Sequence, residues 1–321
     1  MKTATKIWLI VAASLILVGI MLFAGVMMSI KWNFSKLSTT KFSSTEHEIG
    51  DSFESIIIDT DTTNVTIMQS DNGECKVVCH EQERVSHSVE VEDGTLKIQR
   101  IDNRRWYDYI GISFGETNVT VYLPKAEYES LSVKVSTGDM HVWSESDFEN
   151  ISLTSGTGDI QCYASASGKI SLKASTGDIR ITDSSAGALD LRVSTGNIYA
   201  SGIKCEGDLN IKVSTGDVGL TSVTCKNLIS EGGTGTLTMK KVIASECFDI
   251  KRSTGDVKFE DCDAGEITIV TDTGDVKGIL LSEKVFIVNT STGKKEVPES
   301  ATGGKCKITT NTGDIKIFIL E

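Results

Sequence analysis

Proline is nearly absent, with two residues in a chain of 321. Aromatic residues make up 6%, and histidine occurs four times, at positions 47, 80, 87 and 141. So few imidazoles, with no nucleophile elbow, phosphate loop or metal-binding helix motif, leave catalysis little support. No two Cys-x-x-Cys motifs pair up as a zinc site would require, so no metal and no cofactor is expected. A surplus of basic residues is also lacking. Asp and Glu number 44 against 32 Lys and Arg, a net charge of −12, which argues against nucleic acid as a partner.

Glycine is abundant instead, with 29 residues. Ten of them, Gly138, Gly158, Gly177, Gly196, Gly216, Gly235, Gly255, Gly274, Gly293 and Gly313, stand in Thr-Gly-Asp or a close variant. Successive members are always 19 or 20 residues apart, the mark of stacked, near-identical units. Seven residues before each glycine the position is apolar in all ten repeats, from Leu131 to Cys306. Five before and two after, it is apolar in nine, the departures being Ser230 and Lys295. Alternation on both sides of the glycine signals strands, and its parity changes across the Ser-Thr-Gly-Asp segment. That segment is therefore a corner, where glycine takes a left-handed backbone angle and Asp or Asn serves its own turn.

One such unit does not hold itself together. Four or five inward side chains contribute roughly 2 kcal/mol each, whereas ordering 19 or 20 residues costs roughly 1–2 kcal/mol per residue. Stacking through backbone ladders resolves the deficit. The expected fold is all-β, a β-solenoid of about ten coils, on the order of 48 Å long at about 4.8 Å per layer.

Residues 7–30 form an uncharged apolar run of 24, long enough to span a bilayer and longer than the core of a cleavable signal. Trp8 and Trp32 lie near its ends, as interfacial indoles do. The domain plan is a tail (1–6), a transmembrane helix (7–30), a polar linker (31–44), an irregular β region that starts and caps the solenoid (45–128), and the repeats (129–321). Lys2 and Lys6 precede the helix, and Lys31, Lys36 and Lys41 follow it. The charge rule for orientation is thus nearly balanced, and an extracytoplasmic placement of the bulk rests on the size of the C-terminal part. The chain ends on an apolar strand, "DIKIFILE". That edge is expected to need a cover, by a loop, a partner or self-association with a second copy.

Several residues carry candidate chemistry. The corner aspartates Asp139, Asp159, Asp178, Asp217, Asp256, Asp275 and Asp314 stack as a potential calcium ladder, though a turn-capping role suffices for each. Lys134, Lys173, Arg192, Lys212 and Lys251 form an outward basic row that suits either solvation or an anionic envelope polymer. Arg104, Arg105, Trp106, Tyr107 and Tyr109 gather the residue types that recognition surfaces favour, with a buried cap over the first coil as the alternative. Cys205 and Cys225 each lie nine after a corner glycine, within disulfide reach if the coils stack.

The N-terminal anchor, the "DGTLKI" hairpin, the "VTVYLPKAEYESLSVKVSTGDM" junction and the recurring Ser-Thr-Gly-Asp together resemble a bacterial family of β-strand-repeat proteins called putative adhesins, from about Phe53 to Glu321. The resemblance implies a cell-envelope protein, in some relatives tied to envelope-stress responses, and it supplies no functional residues. A non-catalytic, membrane-anchored binding or scaffold module follows, with an envelope polymer or membrane protein as partner. The alternatives are a stress-sensing component acting through a membrane partner, and a carbohydrate-active β-helix enzyme.

Overall fold

The computed structural model describes residues 3–33, 41–106 and 115–320. Among the described residues one long helix, α1 (Thr3–Ser29), is followed by strands. The N-terminal strands are β1 (Phe42–Ile49), β2 (Ser55–Thr62), β3 (Asn64–Gln69), β4 (Cys75–Gln82), β5 (Val85–Glu92), β6 (Thr95–Asp102) and β7 (Asn118–Leu123). Next come β8 (Glu127–Thr137), β9 (Met140–Trp143), β10 (Asp147–Thr157), β11 (Ile160–Cys162), β12 (Ser165–Thr176), β13 (Ile179–Thr182), β14 (Ser185–Thr195), β15 (Ile198–Cys205) and β16 (Asp208–Thr215). The last are β17 (Val218–Thr234), β18 (Leu237–Thr254), β19 (Val257–Thr273), β20 (Val276–Leu280), β21 (Lys284–Thr292), β22 (Lys295–Glu296), β23 (Gly304–Thr312) and β24 (Ile315–Ile319).

These strands coil into a parallel β-solenoid whose corner glycines align up one edge. Leu131, Ile151, Ile170, Leu189 and Leu209 lie in register on successive coils, and all are buried. The same apolar column runs to Cys306. Each corner glycine has a φ between +132° and +154°. A Cβ there would drive into the backbone of the neighbouring coil: at Gly216 it meets the carbonyl oxygen of Gly196, and at Gly235 that of Gly216. The glycines are required twice, for their backbone angle and for this close approach.

A second corner follows six residues after several of the glycines. Asp183, Ser222, Lys241 and Asp261 take φ near +50°, and Gly202 takes +66°. Only one of these five is glycine, so sequence periodicity passes over this corner. Downstream, the segment between this second corner and the next glycine corner is also strand. In β18 a single extended segment runs from one glycine corner to the next.

Both ends depart from simple succession. At the N-terminus β2 and β3 form a coil of their own. Thr62 pairs with Thr137 and Val65 with Met140, which puts Thr63 and Asn64 in register with Gly138 and Asp139. Above this coil lie β6 and β7, between which residues 107–114 lie outside the described residues. The chain then reverses, and β5, β4 and β1 close the stack in antiparallel pairing. The even spacing of the repeats is absent from this first layer, which lies in the irregular β region expected over 45–128.

At the other end the coils stack out of order. β23 pairs with both β19 and β21, and β24 with both β20 and β22. The Gly313 coil is therefore inserted between those of Gly274 and Gly293. The apolar final strand is paired along its length by β20 and on its other side by β22 only at Ile315 and Lys316, so the longest exposed edge at this end lies on β21.

Candidate functional site

The corner aspartates act on their neighbours, which corrects the expectation that each caps its own turn. Asp139 Oδ1 accepts from the Asp159 amide at 2.8 Å, and Asp159 Oδ1 from the Asp178 amide at 2.8 Å. Asp178 serves Asn197, Asn197 serves Asp217, and Asp217 serves Thr236. The series breaks at Thr236 and resumes from Asp256 through Asp275 and Asp314 to Lys294. Outer oxygens face basic groups, as Asp178 Oδ2 faces Arg180 at 2.9 Å and Asp275 Oδ2 faces Lys277. Hydrogen bonds from the Lys277 ammonium and the Asp314 amide hold the Asp275 carboxyl below its ordinary range. The ladder is a chain of amide caps linking coil to coil, with its charge met by lysine and arginine.

The basic row stands outward as expected, and it is partly neutralised. Arg192 bonds Asp190 at 2.8 Å, Lys212 reaches Glu231 at 3.2 Å, and Lys251 reaches Asp249 at 3.3 Å. Cys205 and Cys225 fall on adjacent coils, one residue beyond the Lys204–Thr224 pair, but both carry free thiols, as do the other six cysteines. Burial pushes the Cys225 thiol up to about 12. In the Arg104–Tyr109 cluster, Trp106 is 77% exposed rather than folded under the cap. Arg104 bonds Asp102 through its Nε at 2.9 Å and its guanidinium at 2.6 Å. Tyr107 and Tyr109 lie outside the described residues.

Two groupings were not legible in the sequence. The first is a buried polar relay in the N-terminal cap. Thr60 Oγ1 lies 2.8 Å from His87 Nε2, and His87 Nδ1 lies 2.9 Å from Glu81 Oε1. Cys79, Glu81 and His87 also bring their donor atoms within 4.8 Å of one another, a set able to hold a metal ion. Here both ring nitrogens of His87 are taken up by protein partners, and Thr60, Glu81 and His87 are all buried. A hydroxyl, imidazole and carboxylate in series can move protons, but this series is closed to solvent. Its evident role is to satisfy polar groups where parallel stacking gives way to antiparallel.

The second grouping is an outward aromatic row on the strands that follow the glycine corner. Met140 and Val142 point inward and are buried, so His141 and Trp143 point out. Trp143 sits beside Tyr163 of the next coil, ring centroids 6.1 Å apart, and the His141 ring lies tilted against Trp143 at 5.5 Å. Two coils further on, Arg180 lies 5.1 Å from the Tyr199 ring. Trp143, Tyr163 and Tyr199 are 45%, 43% and 41% exposed. Trp143 and Tyr163 each follow their corner glycine by five residues and Tyr199 follows by three. Those odd offsets, set against inward neighbours at two and four, were the available signal.

The Toastrack DUF4097 family model matches residues 53–210 and again 204–321. The chain belongs to the Toastrack DUF4097 family. Two solved structures are similar to this Toastrack chain. One, described as a putative adhesin from Parabacteroides distasonis, is 16% identical, covers 75% of this chain and 98% of its own, and has a TM-score of 0.50. The other, a putative adhesin from Parabacteroides merdae, is 14% identical, covers 75% of this chain and 97% of its own, and has a TM-score of 0.48. At 16% identity the likeness to the Parabacteroides distasonis structure shows the fold alone. No curated protein sequence matches the chain.

Proposed function

We propose that this Toastrack chain is a non-catalytic module of the cell envelope, anchored by α1, that holds a glycan chain along the side of its solenoid. Within α1, residues Thr5–Ser29 have a mean hydropathy of 2.8 and, apart from Met27, are not buried inside the protein, which supports a membrane span. The neighbours described as adhesins add an analogy at the level of fold.

The observation that carries the reading is the row of Trp143, Tyr163 and Tyr199. Large aromatic side chains left half in water on a stable sheet mark a recognition surface. A sugar ring offers apolar C–H faces that lie on such rings, and its hydroxyls need donors and acceptors at the rim. His141, Gln161 and Arg180 flank the aromatics in register and supply them. Trp143 and Tyr163 lie on adjacent coils, and Tyr199 lies two coils further on in the column of His141, Gln161 and Arg180, so the aromatics extend along the solenoid, which fits a polymer better than a compact ligand.

A Trp143→Ala/Tyr163→Ala variant removes exposed rings and leaves the core intact. Retention on purified envelope polysaccharide is expected to fall at least tenfold, with the melting temperature unchanged. Equal retention of the variant would sink the glycan reading. Protease shaving of intact cells tests the anchor separately: a protected solenoid would place it inside the cell.

A further inference from the structure

The two ends of the solenoid are finished differently. At the N-terminal end the antiparallel strands β5, β4 and β1 cover the last parallel coil, and the outermost strand carries Glu46 and Glu48. At the opposite end β21 is paired on one side by β23. Among the described residues nothing pairs with its other edge.

The hydrophobic column is also left open there. Phe286 and Val288 occupy the positions held one coil inward by Cys306 and Ile308 and two coils inward by Ile267 and Ile269. Those four are fully buried, whereas Phe286 and Val288 are only partly so. Outward on the same strand, Val285 is 37% and Ile287 50% exposed. Leu281, Phe318 and Leu320 add apolar surface at this end. From Val285 to Gly293 the strand has no charged residue and no proline, although sheet edges are normally blunted by such residues.

We propose that β21 is the docking strand for a second copy of this chain, paired edge to edge and antiparallel about a two-fold axis. Several features select this occupant. Lys284 is buried against Asp263 at 2.7 Å, and the uncharged stretch from Val285 to Thr292 meets its own antiparallel copy without setting like charges opposite each other. A two-fold pairing is self-complementary and closed, so it satisfies both edges at once. It also lays the open end of one hydrophobic column against the other, covering Phe286 and Val288 in both copies. The head-to-tail alternative would bring Glu46 and Glu48 of β1 against an apolar strand that offers no cation, and among the described residues only Glu46 of the two has an ion-pair partner, Lys76 at 3.6 Å, so carboxylates would be buried at a cost. The chain enters the stack from α1 at β1, so the two helices of such a pair lie at its far ends.

The test uses the full chain in detergent. Sedimentation across the micromolar range is expected to show a monomer–dimer equilibrium, with the amides of β21 slowing in hydrogen exchange as the dimer fills. Ile287→Lys and, independently, Val285→Lys should each weaken the dimer at least tenfold without lowering the melting temperature. Ile57→Lys, on an outward position far from this edge, should leave it unchanged. A wild-type chain that stays monomeric overturns the inference. So does a dimer indifferent to both edge lysines, one without protection of β21, or open-ended growth beyond two copies.

Discussion

The guanidinium of Arg252 occupies the space that a side chain on Gly232 would need. The two residues are in register on adjacent coils of an inward column made mostly of small residues. A Cβ on Gly232 would overlap Arg252 Nη1. Arg252 is 4% exposed and donates to Ser230 Oγ at 2.8 Å, while its Nε–H has no partner. Burial pulls its pKa down to about 10, against an opposing pull from Asp217. Ser230, the one polar residue at the position five before the glycine, is thereby explained: it accepts from a cation buried in the column.

Gly232→Ala is accordingly expected to cost on the order of 1–3 kcal/mol by overpacking. Arg252→Met should be neutral or stabilising, because an incompletely paired buried cation gives way to an apolar chain of similar length. In the double variant the glycine substitution should lose most of its cost. Urea denaturation of the four proteins yields the coupling energy, and strict additivity would contradict this packing.

The glycines are not equivalent. Gly216→Ala combines a φ of +143° with a clash against the Gly196 carbonyl, so a loss of about 3 kcal/mol or more is expected. Gly73, at φ +75°, has nothing within 4 Å of a new Cβ, and Gly73→Ala should cost only about 1–2 kcal/mol. Similar losses at both sites would remove coil-to-coil contact as the reason for the repeat.

Within the aspartate ladder, Asp178→Ala strands the Asn197 amide and should cost about 1–3 kcal/mol. Asp178→Asn should be nearly harmless, since Asn197 already performs this role for Asp217. A melting curve that shifts with chelator would show that the ladder holds a cation instead.

The same ladder sets an acid limit. The Asp256 and Asp275 carboxyls are held below the ordinary aspartate value of 3.8, chiefly by the Asp275 amide and by Lys277 respectively. A depressed folded-state pKa contributes stability that is complete above the unfolded value and vanishes as pH falls through the folded one. Stability should therefore be flat from neutral pH down to about 5 and decline below about 4. Asp275→Asn should flatten that decline, which thermal melts at stepped pH will show.

Thiol chemistry should be slow. Burial pushes Cys79, Cys225 and Cys306 up to about 12 and Cys75, Cys162 and Cys262 up to about 11. Cys247 is the one thiol that is not fully buried. Native alkylation at neutral pH is expected to modify Cys247 alone. Equal intact masses with and without reductant are expected for Cys205 and Cys225, and a mass lower by two hydrogens without reductant would show them joined.

The coil itself was readable from residue order, because its causes are local. A glycine must stand wherever the backbone turns left-handed against a neighbouring carbonyl, and apolar residues must alternate wherever one face is inward. Both demands recur with each pass of the chain. The apolar run of α1 is readable for the same reason. Which coil lies on which was not readable. The repeats offer nearly interchangeable ladders, so a period of 19 or 20 is equally satisfied by stacking in order or by slipping the Gly313 coil beneath that of Gly293. Long-range pairing alone decided that exchange, and with it which strand is left at the edge. The Arg252–Gly232 fit, the Thr60–His87–Glu81 relay and the alignment of Trp143 with Tyr163 depend likewise on register between coils, a property of the stacked backbone and not of any single turn.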